Sequence, residues 1–145
     1  MAMSKRDRKQ ILRSQDINDE DIFRFRWRIA QVLCEAPLTW GGLTDVELII
    51  RAHLHGYRNL QLERDFLGGK RSNFYKALID EIMTDLLKRG IAYREDETIP
   101  FGDLEMYKYK KGRSLTKVRC DKLVGIGLGD RKIYSHLFPL NQRIE

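Results

Sequence analysis

The sequence predicts an α+β fold in which helices come first and antiparallel strands follow. Up to about residue 89 the apolar residues recur with the 3.6-residue period of amphipathic helices. After Gly90 the period changes to the alternation of strands, and Gly129-Asp130 matches a two-residue hairpin turn. Because helices and strands are separated along the chain, an antiparallel sheet is favoured over a parallel α/β sheet.

Length and composition are those of a single globular domain. The chain has 145 residues, of which 42% are hydrophobic and 33% charged, so it can bury an ordinary core. Residues 1–15 are basic and poor in apolar side chains, and we expect a flexible basic tail or a marginal helix there. One domain then spans residues 16–145. The net charge of +6 favours acidic partners such as nucleic acid.

A largely buried helix is predicted over residues 21–36. Asn18 or Asp19 supplies its N-terminal cap, and apolar residues cover most of its surface. Arg26 points into the apolar sector, so it needs a carboxylate, carbonyl or phosphate partner. The polar stripe consists of Arg24, Arg28, Gln31 and Glu35.

The aromatic residues of this helix have a second interpretation. Phe23, Phe25 and Trp27 alternate with arginines as they would on one face of a strand, and exposed aromatics can stack on nucleic-acid bases. The helical pattern continues beyond them, whereas the alternation stops at Ile29. Core packing is therefore favoured over base stacking.

Membrane and redox signals indicate a cytoplasmic protein, of cellular, viral or plasmid origin. No apolar run approaches the roughly 18 residues needed to cross a bilayer, and no apolar signal core is present, so we expect no membrane partner. Cys34 falls on an apolar helix face and is expected as a small core residue. Pairing of Cys34 with Cys120 stays open, although nothing requires a disulfide in a reducing compartment.

Three more helices are predicted, over residues 45–55, 60–67 and 72–89. Thr44 and Glu47 match a capping box for the first of them. Ser72 caps the third, which carries a clean apolar stripe, and Gly90 ends it. The strands predicted after Gly90 span residues 91–94, 104–110, 115–120, 123–128 and 131–137, the last two forming an extra C-terminal β-hairpin.

The segment from residue 62 to residue 90 resembles the helix-turn-helix of winged-helix DNA-binding domains. The residues that carry this resemblance are Leu62, Phe66, Leu67 and Gly68 in the second helix and turn, and Arg71, Ser72, Asn73, Phe74, Tyr75, Lys76, Ala77 and Leu78 at the start of a recognition helix. The run from Leu86 to Ile91 resembles the end of that helix and the start of a wing. The resemblance covers roughly residues 44–111.

The resemblance implies a non-enzymatic regulator of transcription or replication that binds double-stranded DNA. Asn73 can make a bidentate contact with adenine, and Arg71 or Lys76 can reach guanine or phosphate, while a basic wing holds the backbone. Dimers are common among such proteins, and the helix over residues 21–36 could form a homodimer interface. The expected nucleic-acid contacts are Lys70, Arg71, Ser72, Asn73, Lys76, Lys108, Lys110, Lys111 and Arg113.

Acidic residues restrict this interpretation, and two others stay open. Asp80, Glu81 and Asp85 are expected on the solvent side of the long helix, where they would repel phosphate. Only the N-terminal half of that helix could then approach DNA. The alternatives are an RNA-binding protein that uses its basic sheet and a protein–protein adaptor or inhibitor.

Enzymatic chemistry is not predicted. Gly69-Lys70 lacks the Ser or Thr that must follow in a P-loop. Asp103, Glu105 and Lys108 lack the spacing that would bring a nuclease-type set of carboxylates and lysine to one face of a strand. No Cys/His spacing indicates a zinc site. We therefore expect no catalytic residue, no metal and no cofactor.

Overall fold

A computed structural model describes residues 4–14, 17–35, 43–44, 73–101, 104–125 and 131–140. Over these ranges the protein has an α+β fold. The helices are α1 (Lys5–Ser14), α2 (Asp19–Glu35), α3 (Asn73–Lys88), α4 (Lys117–Gly125) and α5 (Arg131–Leu137). The strands are β1 (Leu43–Thr44), β2 (Ala92–Phe101) and β3 (Leu104–Lys111). The helices predicted over residues 45–55 and 60–67 lie outside the described residues.

Residues 5–14 form helix α1, so of the two alternatives expected for the basic N-terminal residues, the helix is present and the flexible tail is wrong. Ser4 Oγ accepts a hydrogen bond from the Asp7 N–H at 3.1 Å and caps the first turn. Leu12 is buried, and Arg8 lies 3.3 Å from Glu81 of α3. The helix forms because its few apolar side chains and one arginine find partners on α3, which are distant in sequence.

Helix α2 lies in the core, as predicted. It begins with a reciprocal cap, since the Asn18 N–H donates to Asp21 and the Asp21 N–H donates to Asn18, at 3.0 and 2.9 Å. Phe25 and Trp27 are fully buried, which confirms core packing of the aromatic run. The apolar surface of α2 is thus covered within one chain, and a homodimer through this helix stays a prediction.

Helix α3 is the second core helix and ends where the sequence predicted. At its end Gly90 adopts a left-handed φ of 70°, which glycine tolerates best. The Gly90 N–H donates to Leu87 O at 3.1 Å and the Ile91 N–H donates to Leu86 O at 2.9 Å, the hydrogen-bond pattern of a Schellman cap. Among the described side chains of α3, the buried ones are Ala77, Leu78, Ile79, Ile82, Met83 and Leu86.

Strands β2 and β3 form an antiparallel hairpin directly after α3, and β1 adds a short third strand. The sheet order is β1-β3-β2, with Leu43 opposite Tyr109. Tyr109 of the central strand is buried. Strand β2 continues to Phe101, beyond the strand predicted over residues 91–94. It can include Pro100 because it is an edge strand, where a missing N–H is tolerated.

Two helices, α4 and α5, occupy ranges predicted as strands, so the expected C-terminal β-hairpin is wrong. Thr116 Oγ1 accepts the Arg119 N–H at 3.3 Å and caps α4. Gln31 of α2 donates to Leu123 O at 3.1 Å, so α4 covers a residue that was expected on the exposed polar stripe of α2. In α5, Tyr134 is buried. The predicted turn at residues 129–130 lies outside the described residues.

A disulfide joins α2 to α4. Cys34 and Cys120 are 86 positions apart in sequence, and their Cα atoms lie 5.5 Å apart. The pairing that the sequence left open is therefore present, and Cys34 is not the unpaired core residue that was expected. Disulfides are uncommon in cytosolic proteins, and the expected cytoplasmic location stays a prediction.

Candidate nucleic-acid interface

The expected contacts of the long helix lie at its beginning. Lys70, Arg71 and Ser72 precede the described part of α3, so their positions are outside the described residues. Asn73 is the first residue of α3. Lys76, almost one turn later, is exposed, which suits the phosphate or guanine contact predicted for it.

The four expected wing cations have unequal surroundings; they are Lys108, Lys110, Lys111 and Arg113. Lys110 Nζ lies 2.8 Å from Glu95 of β2, and this hydrogen bond raises the pKa of the lysine. Lys111 Nζ donates to Cys34 O at 3.4 Å. Lys108 is half-buried, and Arg113, although exposed, also has an interaction partner. The wing is therefore less cationic toward solvent than its sequence indicates.

An acidic bulge in β2 lowers the positive charge of the wing further. The strand pairs Arg94–Tyr109 and Thr98–Tyr107 enclose three residues of β2 but only one residue of β3. The three residues are Glu95, Asp96 and Glu97, and the single residue opposite is Lys108. Three carboxylates therefore lie on the same hairpin as the wing cations.

The acidic residues of α3 are not on an open solvent face, which corrects the expectation for Glu81 and Asp85. Their side chains are 11% and 15% exposed and lie among arginines. Arg89 Nε lies 3.0 Å from Asp85, and the Tyr134 hydroxyl donates to the same carboxylate at 2.7 Å. Burial and the neighbouring carboxylate raise the pKa of Tyr134 well above its ordinary value. These acids are neutralised locally, so they repel phosphate less than expected.

Arg26 has the kind of partner that its position demanded. Its guanidinium donates to the main-chain carbonyl of Glu81, and it also lies 3.9 Å from the Glu81 carboxylate and 3.8 Å from that of Asp85. Together with Arg8, which pairs with Glu81, and Arg89, it forms an ionic network. The network is made of Arg8, Arg26, Glu81, Asp85 and Arg89, and it ties α1 and α2 to α3.

Asp80 marks the point where three elements meet. Burial raises the pKa of its carboxyl, and the charges of Arg8, Lys76 and Arg94 offset part of that rise. These cations belong to α1, α3 and β2 respectively. Helix α1, the first half of α3 and the base of the wing are therefore close neighbours.

The exposed side of α1 is a cationic surface that the predicted contact set omitted. We call it the basic face; it consists of Lys5, Arg6, Lys9 and Arg13, which with Gln10 border one shallow depression. Within the described part of the chain, none of these four forms an ion pair with a carboxylate. The sequence alone could have identified the basic face, because Lys5, Lys9 and Arg13 recur every four residues, as they do on one side of a helix.

A junction of two glycines fixes the wing to the end of α3. The Gly112 N–H donates to Ile91 O at 2.8 Å, and the Ser114 N–H donates to Gly90 O at 2.9 Å. A Cβ atom at Gly112 would overlap the carbonyl oxygen of Gly90. The close approach of the two chain segments therefore requires glycine at residue 112.

Comparison of the chain with protein-family models, with curated proteins and with solved structures finds no match. Over the described ranges, no group of three His, Cys, Asp or Glu side chains could hold a metal ion. Similarly, no helix in those ranges has the length and apolar character to span a membrane.

Proposed function

We propose that this protein is a non-enzymatic, double-stranded DNA-binding protein of the winged-helix type, acting in the control of transcription or replication. One observation carries the proposal: α3 passes through Gly90 directly into a β-hairpin, as a recognition helix passes into a wing. The second hairpin strand also pairs with β1, which precedes α3 in the chain. The net charge of +6 supports a polyanionic partner.

In this proposal the first turn of α3, with the residues just before it, enters the major groove. Helix N-termini favour anions because their N–H groups and the dipole point outward. The exposed Lys76 lies on this turn. Farther along, α3 is enclosed by α1, α2 and the ionic network, so deep insertion of the whole helix is not expected.

The wing has a smaller part than its sequence indicates. Lys110 and Lys111 interact with groups of the protein itself, and the acidic bulge lies beside them. We therefore expect the wing cations to approach the DNA backbone with part of their charge offset by neighbouring groups of the protein. The wing would add little to the total number of phosphate contacts.

Binding to duplex DNA, duplex RNA and single strands should be compared over a salt series. The proposal expects a preference for duplex DNA with a steep fall in affinity as salt rises. Lys76→Ala should lower the salt slope by about one unit for every sequence, whereas Asn73→Ala should relax sequence preference by about 1–3 kcal/mol. Lys132→Ala, at an exposed lysine of α5, is the control and should change neither.

The outcomes separate the proposal from its alternatives. A preference for duplex RNA would contradict the DNA assignment and support an RNA-binding protein. Failure to bind any nucleic acid, at salt concentrations from about 50 to 200 mM, would overturn nucleic-acid binding altogether. The adaptor interpretation would then be the one to pursue with a defined protein partner.

A further inference from the structure

We propose that the basic face of α1 is a second phosphate-binding surface, which contacts the nucleic-acid backbone beside the first turn of α3. The inference rests on the proposed function and deepens it, because it moves most backbone contacts from the wing to α1. It assigns no sequence recognition to α1. Its members are Lys5, Arg6, Lys9 and Arg13.

The four cations share one side of the helix. At about 100° per residue they fall within an arc of about 100°, and Lys5, Lys9 and Arg13 follow one another about 6 Å apart along the axis. Lys5, Arg6 and Arg13 are exposed and Lys9 is half-buried. Four cations on so short a length suit a polymer that carries one negative charge per roughly 1.7 Å of axis.

The basic face is held on a folded element, unlike the cations of a flexible arm. Leu12 is buried directly beside the edge of the basic face formed by Lys5, and the ion pair of Arg8 with Glu81 attaches the helix to α3. A cation whose backbone is already ordered loses less conformational entropy on binding than one in a disordered tail. The four charges can therefore act together as one surface.

The position of α1 connects the basic face to the proposed recognition turn. Arg8 of α1 lies 3.3 Å from Glu81 of α3, and the charges of Arg8 and Lys76 both lower the pKa of the neighbouring Asp80. Helix α1 thus lies beside the first half of α3, and Lys76 faces solvent there. A duplex at the start of α3 would have its backbone within reach of the basic face.

The residue content of α1 favours a nucleic acid over an anionic membrane. Helices that bind in a membrane surface insert apolar side chains, such as Trp, Phe or Leu, from the side facing the lipid. In α1 the apolar residues are Ile11 and Leu12, and both pack against the core of the protein. Its exposed residues are the cations Lys5, Arg6 and Arg13 together with Asp7, Gln10 and Ser14. None of them is apolar and the cations outnumber the one carboxylate, which suits charge-driven binding to phosphates.

The test is a charge-matched pair of variants, compared for duplex DNA binding over a salt series. One variant replaces the basic face by glutamine: K5Q, R6Q, K9Q and R13Q. The control removes four exposed lysines elsewhere: K88Q, K117Q, K122Q and K132Q. Circular dichroism and thermal unfolding of both variants check that the fold is retained. A parallel series uses vesicles containing anionic phosphatidylserine.

The slope of log affinity against log salt is the deciding quantity. The α1 variant should lose about 3 to 4 units of slope, since each phosphate contact contributes about 0.9, while the control should lose less than one. Equal losses in the two variants would overturn the inference, because net charge alone would then explain binding. Binding to vesicles that depends on the basic face, without DNA binding, would also overturn it.

Failure of the inference is distinguishable from failure of the proposed function. If the unaltered protein binds duplex DNA and the α1 variant binds with the same slope, the inference alone is wrong. If the unaltered protein binds no nucleic acid, both are wrong. If the α1 variant loses helical content, the single substitutions R6Q and R13Q replace it, and each should lower the slope by about one unit.

Discussion

The basic face of α1 and the wing cations each carry four positive charges, but their neighbours differ. On α1 the charges project from one side of a helix that is attached to α3 by other residues, notably Arg8. On the wing, Lys110 is paired with Glu95 and Lys111 with a main-chain carbonyl. Equal formal charge thus gives unequal surface potential, because potential depends on how much of each charge is offset by its neighbours.

The largest expected effect comes from removing the carboxylate that holds α1. Glu81→Ala removes the carboxylate that Arg8 and Arg26 share in a mostly buried setting, although Arg26 keeps its hydrogen bond to the main-chain carbonyl of residue 81. We expect a loss of about 3 kcal/mol in the free energy of unfolding, with faster hydrogen exchange at the amides of α1. If binding depends on an ordered basic face, DNA affinity should fall as well.

Glu20→Ala is the matched control for that substitution. Glu20 also pairs with an arginine, Arg131, at 3.2 Å, but both side chains are more than half exposed. Its removal should cost less than about 1 kcal/mol. Equal destabilisation by the two substitutions would contradict the structural role assigned to the ionic network.

The second prediction concerns the attachment of the wing. Gly112→Ala introduces a Cβ that overlaps the carbonyl of Gly90, so the two segments must separate. We expect a loss of about 2 kcal/mol, as for other overpacked sites, measured by chemical denaturation. Tyr93→Ala, which removes an exposed side chain of the same hairpin, should change stability by only about 0.5 kcal/mol. An unchanged free energy of unfolding in Gly112→Ala would contradict the close approach of residue 112 to the Gly90 carbonyl.

The third prediction tests whether the wing cations are offset by their neighbours. Glu95→Gln removes the partner of Lys110, so the pKa of that lysine should return toward its ordinary value. The slope of DNA affinity against salt should steepen by about one unit. Glu97→Gln is the control: it removes one negative charge from the bulge and leaves the ion pair of Lys110 with Glu95 in place. If both variants respond equally, release of Lys110 is not the cause.

The smallest expected effect concerns pH and Asp80. Its folded-state pKa is raised, chiefly by burial, so the folded protein holds this proton more tightly than the unfolded chain does. Stability from this group is therefore present below the ordinary Asp pKa and is lost as pH rises through the raised value. As pH rises from the ordinary Asp pKa through the raised one, the free energy of unfolding of Asp80→Asn should increase relative to that of the unaltered protein. At higher pH the difference between the two proteins should stay constant. Denaturation at several pH values measures this, and a pH-independent difference would contradict the assignment.

Local signals explain which helices could be predicted from the sequence. The long amphipathic pattern and the Asn18 cap predicted α2, and the stripe ending at Gly90 predicted α3. Helix α1 was one of two alternatives for its residues, and its contact with Glu81 could not be predicted because no local pattern reveals a partner so distant in sequence. Helices α4 and α5 are short, and their packing depends on α2, for example through Gln31 and Leu123. The short strand β1 has too few residues to show any periodicity.

For the candidate site too, the sequence indicated the charged residues but not which of them pair when they are distant in sequence. The sequence indicated that Arg26 needs a partner and that Glu81 and Asp85 are charged. It did not indicate that Arg26 pairs with Glu81 and Asp85, because these residues are on different helices. For the wing, the basic residues were visible in the sequence, whereas the pairing of Lys110 with Glu95 depends on strand register and the bulge.

The bond between Cys34 and Cys120 also changes how the chain responds to cleavage. It closes a covalent ring that contains β1, α3 and the hairpin, whereas α1 and α5 lie outside it. A single proteolytic cut between residues 35 and 119 would leave both pieces joined. Such a protein would migrate as one species on a non-reducing gel and as two after reduction. The proposed DNA-binding elements would then stay in one molecule even after the chain is nicked.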